Sequence, residues 1–135
     1  MKSLLEHSCE LISGELRNLV YVYELKDEAS RKKIRNKKMD VSFEIKELPS
    51  RKTPGINQLH LVCFVRDYPA TYMYLAEIDP TTRQWCIENS SFIDKTKKFV
   101  THCLEILESR NPQNAIESGN MLVAIADSEF KKLSF

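Results

Sequence analysis

Glycine is nearly missing from this chain. Three occur in 135 residues, Gly14, Gly55 and Gly119, so glycine-rich phosphate cradles of the Walker or GxGxxG type and the GxSxG nucleophile elbow are excluded, and no HExxH pair is present. Long apolar runs are missing too. The longest, Leu61 to Val65 and Met121 to Ala126, fall far short of the ~20 residues that span a bilayer. An excess of one charge is lacking: 20 basic against 19 acidic side chains leave a net charge of +1, so any binding to nucleic acid or anionic membrane needs a local patch. The four cysteines, Cys9, Cys63, Cys86 and Cys103, form no CxxC pair, which argues against a zinc ribbon or a thioredoxin-type centre. Each lies in an apolar segment, and buried, reduced thiols are expected. The first residues, Met1 to His7, place acidic and polar side chains where a signal peptide needs an unbroken apolar stretch, so an intracellular location, cytoplasmic or nuclear, is expected, and the sequon Asn89-Ser90-Ser91 carries no weight. With 42% apolar and 29% charged residues the chain is expected to fold, as one domain over 1–135.

Periodicity then gives the elements. Leu5, Cys9, Ile12, Leu16 and Leu19 trace one helical stripe through Gly14, suited to a core-packing helix or a partner helix. Residues 20–25 fit helix or strand equally. Residues 26–39 read as a basic polar loop or insertion, followed by a strand in which Val41, Phe43 and Ile45 alternate with Ser42, Glu44 and Lys46. Residues 49–55, with Pro49, Pro54 and Gly55, read as an exposed, mobile loop. Strands at about 58–66 and 71–78 are apolar on both faces and so call for cover on both sides; the second sets Met73 and Leu75 against Tyr72, Tyr74, Ala76 and Ile78. After a turn at Asp79 to Thr82, residues 83–88 complete the meander, with Trp85 and Ile87 on one face. Ser90 or Ser91 caps a helix carrying Ile93, Phe99, Val100, Cys103, Leu104 and Leu107, which Pro112 ends. The last segment, with Ile116, Met121 to Ile125 and Phe130, fits a helix broken near Gly119, or a short strand. The expected fold is α+β: an antiparallel meander of four strands, or five, with an N-terminal helix and one or two C-terminal helices.

No catalytic set stands out. His60 and Cys63, three apart on a strand, point to opposite faces, and His102 and Cys103 diverge by about 100° on a helix. No cofactor, metal or catalytic residue is expected. The strongest local feature is the run of Arg31, Lys32, Lys33, Arg35, Lys37 and Lys38, suited to phosphates or an acidic partner, with Tyr21 and Tyr23 near enough to stack on bases; a solvated linker explains it as well. Tyr72, Tyr74, Phe64 and Trp85 suit either core or an interface.

A helix, a four-stranded meander and C-terminal helices, with Tyr68-Pro69 between the central strands, resemble the plan of RWD domains over most of the chain. The resemblance implies the fold of ubiquitin-conjugating enzymes without their catalytic cysteine, and a role as a protein-interaction module such as those of kinetochore and signalling assemblies. The chain departs from the pattern after Tyr-Pro, where Ala70-Thr71-Tyr72-Met73 stands in place of further prolines, and the 26–39 insertion has no counterpart. The expected function is thus a non-enzymatic adaptor or subunit domain in an intracellular complex, binding a protein partner or a second copy through Leu5, Ile12, Leu16, Leu19, Tyr72, Tyr74, Met121 and Ile125. The alternative is nucleic-acid binding through residues 31–38.

Overall fold

Ser3 starts the first helix, its Oγ accepting from the Glu6 N–H (3.1 Å), and α1 runs over Leu4–Tyr23 in the computed structural model, which describes residues 2–88 and 91–134. Cys9, Ile12, Leu16 and Val20 are all buried along it, so the 20–25 ambiguity resolves as helix to Tyr23, the stripe continuing through Val20. The segment expected as a loop contains a short helix, α2 (Glu28–Ile34), with Asp27 as N-cap accepting from the Ser30 N–H (2.8 Å). Capping and the partly buried Ile34 order it, two signals that the density of charge obscures.

An antiparallel sheet of order β1-β2-β3-β4 follows: β1 (Val41–Pro49), β2 (Asn57–Val65), β3 (Tyr72–Ile78) and β4 (Trp85–Ile87). The last strand is shorter than expected, because the turn from Asp79 holds Arg83 in the left-handed region at φ 62° and closes with Asp79 N–H to Gln84 O (3.1 Å). Two long helices, α3 (Ser91–Ser109) and α4 (Ala115–Leu133), join α1 on one face of the sheet. The cap expected at Ser90 or Ser91, and Ile93, lie outside the described residues and side chains. The core between helices and sheet centres on Phe43, Phe99 and Phe130, whose ring centroids stand 5.6–6.0 Å apart.

Gly119 does not break α4. The helix passes so close to β1 that a Cβ there would sit 3.2 Å from Ile45 Cγ1; the missing side chain permits the crossing. Between Leu61 and Val62 the β2–β3 register shifts and Leu75 becomes an extra residue on β3. Leu75 and Ala76 therefore both enter the core, where strict alternation would have set Ala76 with Tyr74. Cys86 is exposed, unlike the other three thiols, because by register it lies across from Glu77 on the face away from the helices.

Candidate functional site on the outer face of the sheet

The three long helices all pack on one face, so of the two sides on which β2 and β3 call for cover, helices supply one. The register places Ser42, Glu44, Lys46 and Leu48 of β1, Gln58, His60, Val62 and Phe64 of β2, and Tyr72, Tyr74 and Glu77 of β3 on the opposite, outer face. One end of this face is closed by the β1–β2 connection. That connection, exposed over 51–56 as expected, is tied to the sheet at its start: Ser50 Oγ donates to Glu77 Oε2 (2.6 Å), the Arg51 N–H donates to Glu77 Oε1 (2.9 Å), and Arg51 Nε donates to Glu88 (3.1 Å). Pro49, expected in the loop, is the last residue of β1, and Gly55 makes the turn at φ 87°.

Glu77 is the centre of this polar cluster. His60 Nε2 lies 3.1 Å from Glu77 Oε1, and His60 Nδ1 lies 3.0 Å from the Gln58 carbonyl, with the imidazole wholly buried. Burial raises the Glu77 carboxyl, but the Ser50 hydroxyl, the Arg51 N–H and His60 outweigh it and hold the group below the usual carboxylate value. Aromatic rings continue the cluster: Tyr74 stands edge-on to His60 (5.3 Å) and to Tyr72 (5.7 Å), the Arg51 guanidinium sits 4.4 Å over Tyr74, and Lys46 Nζ sits 5.3 Å over Tyr72. Phe64, Tyr72 and Tyr74 are half-buried, which leaves a patch of rings beside a rigid polar support.

A serine, a carboxylate and a histidine thus meet, but with the carboxylate in the middle. Both contacts run to Glu77, an order that does not place the imidazole as base on the Ser50 hydroxyl. The His60–Cys63 pair is split as expected, His60 outward and Cys63 in the core. His102 pairs with Glu129 of α4 at 2.7 Å, while burial pushes the neighbouring Cys103 thiol, and that of Cys9, up to about 12, leaving both protonated and unreactive at neutral pH. Among the described residues, no group of three His, Cys, Asp or Glu is placed to hold a metal ion, and no helix is long and apolar enough to cross a membrane.

The other candidates are redistributed. Ile12 and Leu16 are fully buried and Ile125 is 3% exposed, so these three belong to the core and offer no surface for a partner; the stripe read from the sequence is the core stripe. Leu5, Leu19 and Met121 are half-buried. In the basic run, Arg31 donates to the Leu25 carbonyl (3.0 Å) and the Tyr21 carbonyl (2.8 Å), satisfying acceptors at the end of α1, and Arg35 pairs with Glu28 (2.6 Å). Lys32, Lys33, Lys37 and Lys38 are exposed. A groove of about 440 Å³ between β4 and the α3–α4 turn is lined by Trp85, Leu104, Leu107, Pro112 and Ser118, with the Trp85 indole N–H already bonded to Ser118 Oγ (2.7 Å).

Sequence reasoning missed the support of the patch, Ser50, Arg51, His60 and Glu77. The signal was there: one histidine and one carboxylate lie within strands that are otherwise apolar on both faces, and a buried ionisable group needs a partner. No family model, curated protein or solved structure matches this chain.

Proposed function

We propose that this protein is a non-enzymatic interaction domain of an intracellular complex, and that it docks a protein partner on the outer face of its sheet. The observation carrying this reading is the patch of Phe64, Tyr72 and Tyr74, half-buried and unroofed by helices, and set on the buried His60–Glu77 pair. Binding hot spots favour such tyrosines and arginines at positions already immobilised, since less side-chain entropy is lost on association. The resemblance to RWD domains, which serve as interaction modules, supports the same class. Nucleic-acid binding is the weaker reading, because Arg31 and Arg35 make internal contacts that compete with phosphate.

The test is nuclease-treated capture from the source lysate with three proteins: wild type, Phe64→Ala/Tyr72→Ala, and Lys32→Glu/Lys33→Glu. A stoichiometric protein partner should bind the first and third and be lost by at least tenfold from the second, with each variant's melting temperature recorded to show that it folds. Loss confined to the Lys32/Lys33 variant, or to samples treated with nuclease, contradicts the proposal.

A further inference from the structure

β1 has one strand neighbour along its nine residues, and its hydrogen-bond phase is fixed at both ends. The Arg66 N–H donates to the Asp40 carbonyl (2.9 Å) and the Ser50 N–H to the Ile56 carbonyl (2.8 Å), so the even-numbered residues bond across to β2. The odd ones, Val41, Phe43, Ile45 and Glu47, turn their N–H and C=O groups to the free edge, where no described backbone group takes them up. Such an edge is a template for another strand.

The charges along it select which strand. Glu44 and Lys46 flank Ile45 on the outer face, 3.6 Å apart at their charged ends within the chain and 50% and 32% exposed, a surface pair open to exchange for cross-strand partners. An antiparallel copy of β1 centred on Ile45 sets Glu44 opposite the partner's Lys46 and Lys46 opposite the partner's Glu44, in non-hydrogen-bonded positions where side chains approach most closely. The neighbouring registers of the same parity centre on residue 44 or residue 46 and set Glu against Glu or Lys against Lys. The strand is therefore complementary to itself in one register and repelled in the adjacent two. We propose that a second copy of this chain pairs there, giving a two-fold dimer with one continuous sheet and both helical layers on the same side. The axis passes by Ile45, against which Gly119 packs. Ile116, one turn earlier on α4 and 71% exposed, is the most exposed large apolar side chain described, and it lies next to that crossing.

Sedimentation equilibrium of the full chain from micromolar to near-millimolar concentration tests this. A reversible monomer–dimer equilibrium is expected. Glu44→Lys and Lys46→Glu should each weaken it about tenfold, and the double exchange should return it to within about twofold of wild type, because opposite charges again face each other. Glu47→Pro removes an N–H that faces the edge and should weaken the dimer while leaving monomer melting nearly unchanged. A chain that stays monomeric throughout, or a double exchange as weak as the single ones, overturns the proposal. So does a monomer whose capture of a different protein is blocked by Glu47→Pro, which would assign the edge to a foreign strand.

Discussion

The two faces of the sheet bury comparable strands by different means. On the inner face, α1, α3 and α4 supply cover, and Phe43, Cys63, Leu75 and Val65 lie in a continuous apolar core. On the outer face a loop covers one end, and beside the buried Val62 stands a polar cluster in which Glu77 is held by Ser50, Arg51 and His60. Apolar burial is non-directional and tolerates some repacking, whereas a buried carboxylate needs every partner in place. The inner face thus carries most of the stability, and the outer face holds side chains in position for contact.

The contrast can be broken most severely from the inside. Leu16→Asp places a charge in a fully buried site and should abolish the folded state, read as loss of a cooperative melt; a folded variant would show that α1 is not part of the core. Gly119→Val overpacks the α4–β1 crossing against Ile45 and should cost about 3 kcal/mol by denaturant titration, with the helix content retained. On the outer face, Glu77→Gln weakens a charge-assisted cluster and should cost about 2 kcal/mol, because His60 and the Ser50–Arg51 turn lose an ionised acceptor.

That variant also separates the faces by pH. Glu77 and Glu129 both titrate below the ordinary 4.5, Glu129 through its bonds from His102 and Lys132, so each stabilises the fold fully above that pH and less as pH falls through its lowered value. Stability measured from pH 7 to pH 3 should decline in the acid range, and Glu77→Gln should flatten part of that decline. The smallest effect is expected for Tyr72→Ala, about 1 kcal/mol from the Tyr74 and Lys46 contacts, since the ring is half-exposed.

The inner half of this comparison was legible in the sequence and most of the outer half was not. Stripes such as Cys9–Ile12–Leu16 and alternations such as Val41–Phe43–Ile45 report local periodicity, and they led to the α+β meander with its helices. Periodicity does not say whether a stripe meets its own core or a partner, which is why Ile12 and Leu16 read as interface candidates. The β3 bulge at Leu75 is a register event between two strands, and no single strand carries its signature. The cluster around Glu77 joins residues 17 to 27 positions apart: the β2–β3 register sets His60 across from Glu77, and the fold of the connecting loop brings Ser50 and Arg51 to it. Tyr72 and Tyr74 could be named from the sequence as ring-bearing candidates; the placement of Arg51 over Tyr74 depended on that loop.

Oxidative footprinting of the tyrosines, with and without the captured partner, tests the docking face most directly. Tyr23, 65% exposed at the end of α1, serves as the internal reference. Protection of Tyr72 and Tyr74 with Tyr23 unchanged is the predicted result. Protection of Tyr23 with Tyr72 still reactive would contradict it and place the partner on α1.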